Sequence, residues 1–251
     1  MKTSKILNDI IKKLRDARVC EVQVGLHWTA VEVERKGKRS CGLAASGGSS
    51  HSHSKDSEVP GAGKLQQHSG LELAQWINED NPVRAGIGLA AINALLEHNP
   101  ADWSEENAEE LLSRMVADRK LAIIGHFPFT SRLRNISQEL VVLELNPQPD
   151  DLPAEMASQV LPAADVIAIT GMTLVNHTLE ELLEMASPKA HVIVLGPSTP
   201  LCSVLFDYGV EVISGAVVQN IESVLETVSQ GGDFHQVHQS GVKLVNMVKP
   251  I

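Results

Sequence analysis

The chain has 251 residues, 43% hydrophobic and 21% charged, and its 21 Lys and Arg against 31 Asp and Glu give a net charge of −10. That length holds one large domain or two small ones around a real core, and the composition is that of a soluble globular protein. The acidic balance argues against a general affinity for nucleic acid, whose phosphates are bound by clusters of Lys and Arg. It leaves room for a small anion held by backbone N–H groups.

Three cysteines, Cys20, Cys41 and Cys202, lie far apart with no Cys-x-x-Cys among them, which fits reduced thiols better than a disulfide framework. The opening MKTSKILNDIIKKLRDA mixes charges through its apolar positions and reads as an amphipathic helix, not a signal peptide. No apolar run approaches the roughly 20 residues that span a bilayer. A cytoplasmic protein without membrane contact is expected.

After the opening helix, VCEVQVGLHWTAVEVER (19–35) alternates apolar and polar residues on both sides of a GLH turn, the pattern of an antiparallel hairpin. KGKR makes the next turn and SCGLAAS (40–46) a third strand. Then comes SGGSSHSHSKD, in which His51 and His53 stand two residues apart. Such a pair can share one metal, but a stable site needs three or four ligands. The same composition describes a flexible solvated loop or an anion-binding lid built from backbone N–H groups. Helical stretches follow at 71–78, 85–98 and 104–115. A meander followed by helices is an α+β module, here residues 1–103, with 104–118 as a linker helix leading into a second domain that runs to 251.

From about residue 120 the rhythm changes. LAIIG (121–125), ELVVLEL (139–145), DVIAITG (165–171), HVIVLG (191–196) and VEVISG (210–215) are short β-branched runs, several closed by Gly, and read as buried parallel strands. Helical segments lie between most of them, the clearest being TLEELLEMA (178–186), where Thr178 and Glu181 have capping-box spacing. Alternating β and α elements imply a parallel sheet with helices on its faces, a Rossmann-like layer. The fold class is therefore α/β, an α+β domain followed by a parallel-sheet domain. No internal repeat is visible.

In an open α/β sheet, ligands bind beyond the carboxyl ends of the strands. That rule selects GHFPFTS (125–131), ELNPQPD (144–150), TGMTLVNHT (170–178), GPSTPL (196–201) and SGAVVQN (214–220). In GPSTPL, Pro197 and Pro200 stiffen the loop after Gly196, while Ser198 and Thr199 can cap a following helix or meet an anion at its N-terminus. TGMTLVNHT offers Thr170, Thr173 and Asn176 beside Gly171, and His177 reads as a neighbour of the helix cap. His126 and Phe127 point to the same edge, where His126 can act as a general acid/base or metal ligand with Glu144 as its partner. The turn after the first strand has one glycine, Gly125, so the three-glycine dinucleotide fingerprint is missing and NAD is not expected. His235 and His238 have helical metal spacing without a third ligand and read as surface.

Taken in order, GLAA (42–45), GIGLAAINALL (86–96), IGHFPF, TGMTLVNHTLEELL and VIVLGPSTPL make the chain resemble the heavy-metal chelation family, a group of prokaryotic proteins of unknown function. The resemblance covers nearly the whole chain. It implies a domain similar to the enolase N-terminal domain, then a Rossmann-like domain, a site where the two meet, and a role near metal handling. By position, Gly125, Glu144, Asn146, Thr170, Gly171, Thr173, Asn176, Gly196, Pro197, Ser198 and Pro200 match its pattern. His126 departs from it, standing where relatives commonly carry an aromatic residue.

Three readings follow. In the first, a cleft between the domains binds a small anionic ligand, a metal chelate or a divalent transition metal, with His51, His53 and His126 as candidate ligands. In the second, an enzyme acts on a small phosphorylated or carboxylated metabolite without metal. In the third, the chain binds a partner protein. Homodimerisation stays open.

Overall fold

The computed structural model describes residues 4–47 and 59–250. Helix α1 (Lys5–Ile11) starts at Ser4, whose hydroxyl accepts from Leu7 N, and it buries Ile6, Leu7, Ile10 and Ile11. The amphipathic spacing of the opening segment thus becomes a docked face. Strands β1 (Arg18–Val24), β2 (Trp28–Arg35) and β3 (Lys38–Ala45) form an antiparallel meander. Lys36 and Gly37 both have positive φ, 53° and 78°, as the two-residue turn that matches strand twist demands.

Short α2 (Gly70–Gln75) opens with a capping box between Ser69 and Glu72. Helix α3 (Pro82–Leu95) opens with Asn81 accepting from Val83 N and Arg84 N, and Pro82 supplies a pre-set φ where no donor is needed. Twelve of the residues of α3 are buried, the mark of a helix enclosed on all sides. Glycines make that possible: a Cβ on Gly42 of β3 would fall 2.2 Å from Ala90 O and Ala94 N, and one on Gly88 would fall 2.1 Å from Ile77 N.

The second sheet contains β4 (Lys120–Ile124), β5 (Glu139–Glu144), β6 (Leu152–Pro153), β7 (Val166–Thr170), β8 (His191–Leu195), β9 (Val210–Val218) and β10 (Val242–Val248) in the order β10-β9-β8-β7-β4-β5-β6. All neighbours pair parallel except β10, which runs antiparallel to β9. Five of these strands match the apolar runs read from sequence. From β6 to β9 the order is that of a doubly wound sheet, with the strand order reversing between β4 and β7.

The linker segment differs from expectation. Asn107 caps α4 (Ala108–Val116), which therefore starts four residues later than the pattern suggested, and its buried Leu111, Leu112 and Val116 pack on the second sheet. Ser104, just before it, is extended and exchanges two backbone hydrogen bonds with Asn246 on β10, at 2.8 and 2.9 Å. Both edges of the large sheet are thereby blunted, one by this pairing and the other by Pro153 on a two-residue strand.

Further helices are α5 (Thr130–Arg134), α6 (Ala157–Val160), α7 (Leu179–Met185), α8 (Ile221–Ser229) and α9 (Phe234–Gln239). The capping box expected at α7 does not form: Thr178 has no capping bond, because its hydroxyl donates to Asn176 Oδ1 at 2.7 Å. One apolar cluster runs without interruption from α1 and α3 through Val31 and Val33 to Ile124, Ile167, Ile169 and Val194 of the large sheet. The other face of the meander, Trp28, Ala30, Cys41 and Leu43, is covered by Val224, Val228, Val237 and Val242. Among the described residues, no helix is long and apolar enough to cross a membrane.

Replacing Gly42 with alanine should cost about 3 kcal/mol of unfolding free energy in urea, because backbone and not a movable side chain blocks the added methyl. Burial pushes the Cys41 thiol up to about 12 and also raises Cys202, so both hold less thiolate at pH 8 than a free thiol. Partial burial and then Glu32 raise the Cys20 thiol too, but it alone of the three is accessible, so iodoacetamide at that pH should modify Cys20 first and reach the buried Cys41 and Cys202 only after unfolding.

Candidate functional site

The reversal between β4 and β7 opens a crevice beyond the carboxyl ends of the strands, where α/β sheets bind ligands. A cavity of about 530 Å³ occupies it, lined entirely by residues between Ile124 and Met185. Gly125, His126, Glu144, Thr170, Thr173 and Asn176, all selected from sequence, meet here. Gly125 has φ +100°, and a Cβ on it would lie 2.9 Å from Thr170 Cγ2, so the turn after β4 admits only glycine without strain.

Several polar groups of this set are committed to the loops themselves. Thr173 is 1% exposed and donates its hydroxyl to Thr170 O at 2.7 Å. Thr170 Oγ1 accepts from Met172 N. Asn176 Oδ1 accepts from Thr178 N and Oγ1. The lining also carries the carboxylates Glu144, Glu155 and Glu181, the thioethers Met172 and Met185, the His126 imidazole and the Ser158 hydroxyl. No Lys or Arg occurs among the described lining residues.

His126 does not pair with Glu144. Its Nε2 lies 2.7 Å from Asp151 Oδ2, and that oxygen also accepts from Gln148 N at 2.8 Å. The Asp151 side chain is 6% exposed and the imidazole 40%, so a nearly buried carboxylate holds a half-open ring at the cavity mouth. Glu144 instead accepts from Leu145 N.

Other sequence candidates go elsewhere. Phe127 stacks on Phe129, ring centroids 5.4 Å apart, and packs against the apolar cluster that α4 shares with the large sheet. Asn146 sits on an exposed loop outside the cavity lining. Gly196, Pro197, Ser198, Thr199 and Pro200 do not line the cavity either. Ser198 and Thr199 are buried at 4% and 2% exposure. Neither caps a helix: the next helical turn, a 3-10 segment over Ser203–Tyr208, begins at Cys202 with no side-chain cap. Ser198 Oγ accepts from Ala45 N at 2.8 Å, and Asn93 Nδ2 donates both to Ser198 O and to Leu43 O. Thr199 packs so closely on Gly171 that a Cβ there would meet Thr199 Oγ1 at 2.5 Å.

His177, at φ 61°, donates Nε2–H to Ile77 O at 2.6 Å, since a carbonyl only accepts. It fastens the loop after β7 to the first module. His235 is bonded to Gln239 and His238 stacks on Phe234. His51 and His53 lie outside the described residues.

The sequence reading overlooked Asp151, Glu155, Glu181, Met172 and Met185. Asp151 stands one residue past the Pro-rich loop selected after β5, which ended at Asp150, and that adjacency was the available signal. As a metal site the donor set fits in part. Imidazole, carboxylate and thioether are all metal ligands, yet no group of three His, Cys, Asp or Glu converges among the described residues.

Two family models, both described as "Putative heavy-metal chelation", match residues 7–96 and 107–247. The chain belongs to this family. An uncharacterized protein of Methanocaldococcus jannaschii is 24% identical over 88% of this chain and 86% of its own length. Two crystal structures of proteins of unknown function from the family of the second model superpose over nearly the full length. The one from Desulfitobacterium hafniense has a TM-score of 0.80 at 25% identity, covering 98% of this chain and 99% of that one. The one from Pyrococcus horikoshii has a TM-score of 0.81 at 24% identity, covering 99% and 100%, and it shares the fold.

Replacing Ser198 with alanine should leave the buried Ala45 N–H without an acceptor and cost about 1–3 kcal/mol in chemical denaturation. Ligand binding at the cavity should stay unchanged, because Ser198 does not line it.

Proposed function

We propose that the protein binds a small, positively charged ligand, a metal ion carried in a chelate, in the cavity beyond β4, β5 and β7. The observation that carries this reading is the lining: three glutamates and no Lys or Arg among the described residues. An anionic metabolite would meet like charge there, which disfavours the wrong partner strongly. A volume of about 530 Å³ suits a small molecule and exceeds what a bare ion fills.

Met172, Met185, Leu143 and Leu182 add apolar and polarisable surface for the organic part of such a ligand. The described residues gather too few donors to enclose a naked ion, which favours a metal that brings ligands of its own. The heavy-metal chelation description of the family points the same way.

Hexaamminecobalt(III), a cationic complex with no open coordination position, is the direct probe. Calorimetry should give one-to-one binding that weakens about tenfold or more in the Glu144→Gln/Glu155→Gln double variant. It should be unchanged in a His51→Ala/His53→Ala variant. The reading fails if phosphate or citrate raises the melting temperature while the cobalt complex and Zn²⁺ do not, since only a ligand that prefers the native state stabilises it.

A further inference from the structure

Asp151 and His126 form a unit whose chemistry can be worked out further. An ionised carboxylate only accepts hydrogen bonds, and Asp151 Oδ2 already takes Gln148 N–H at 2.8 Å. The short contact of 2.7 Å to His126 Nε2 therefore requires the ring proton on Nε2. In the neutral ring the lone pair then belongs to Nδ1. Histidines that serve as ligands are commonly oriented this way, the far nitrogen donating to a carboxylate that fixes the tautomer and raises the basicity of the near one.

The surroundings support a fixed ring. Asp151 is held by its own turn, with Asp151 N donating to Gln148 O at 2.9 Å, and its side chain is 6% exposed while the imidazole is 40% exposed. His126 directly follows Gly125, the residue that turns the chain out of β4 into the cavity wall.

We propose that His126, positioned by Asp151, presents Nδ1 to the bound ligand as the cavity's nitrogen donor. This rests on the cation-binding reading above. His126 is the group that touches the ligand, and Asp151 is a positioning residue that acts through it. Glu144, although nearer in sequence, contributes charge and does not orient the ring.

The test uses the full chain with ¹⁵N-labelled histidine, the His126 signals being assigned by their loss in His126→Gln, and Zn²⁺ alone as the probe. In the wild type, His126 Nε2–H should give a slowly exchanging, downfield proton signal. Zn²⁺ should shift Nδ1 and leave Nε2–H in place. Asp151→Ala should abolish the slow signal and weaken Zn²⁺ binding about tenfold or more, while Asp151→Asn, which keeps an accepting oxygen and the turn, should restore part of both. The proposal is overturned if the wild-type ring carries its proton on Nδ1, if Zn²⁺ shifts Nε2, or if Asp151→Ala changes neither signal nor affinity. Absence of Zn²⁺ and hexaamminecobalt(III) binding to the wild type would sink the cation reading and, with it, the donor role of Nδ1. Hexaamminecobalt(III) binding without Zn²⁺ binding would leave the cation reading standing and overturn the donor role alone.

Discussion

Asn93 stands on a helix that is otherwise almost wholly apolar, yet its amide holds two carbonyls at once, Leu43 of β3 and Ser198 after β8. A buried donor is costly unless satisfied, and here each of its protons has an acceptor. Ser198 completes the knot by accepting from Ala45 N. Helix α3, the meander and the large sheet are thereby tied at one point, and the apolar cluster that crosses all three can close around it. Beside the knot, Thr199 lies close against Gly171, at the start of the loop that walls the cavity.

Seen from that tie, the polar loops divide by task. Ser198, Thr173 and His177 spend their polar atoms on backbone groups, and Thr199 packs tightly on Gly171, so these residues hold the parts of the fold to one another. Glu144, Glu155 and His126 are what the scaffold leaves facing solvent in the crevice. His126 is held there by Asp151 and Glu144 by its own loop, so the frame positions these groups while leaving them open to the crevice. That separation is how a doubly wound sheet carries different chemistry on the same strand ends.

The apolar runs of β4, β5, β7, β8 and β9 were legible because burial on both faces writes a β-branched pattern with no polar alternation. The meander was legible through its period of two. Strand β6 was not, since two residues leave no pattern, and β10, VKLVNMV, was lost because an edge strand half exposed at Leu244 and Val248 carries a weaker signal. The site was half readable. Strand-end logic found Gly125, His126 and Glu144, but it set His126 beside Glu144 because neighbouring strands suggest neighbouring side chains. The real partner, Asp151, is placed by the return of the loop toward β6, which no spacing rule encodes. GPSTPL misled for the opposite reason: its residues look like a cap and an anion loop, and only the packing of α3 against β3 turns them inward.

The pairing of Ser104 with Asn246 has a consequence for any attempt to divide the molecule. The segment that joins the two modules also pairs with β10, and the meander, through Trp28, Ala30, Cys41 and Leu43, covers Val224, Val228, Val237 and Val242 from the other direction. Cutting the chain ahead of α4 would strip a sheet margin and an apolar face in one step, leaving a fragment primed to self-associate through strand addition. The two halves thus cover each other's aggregation-prone margins.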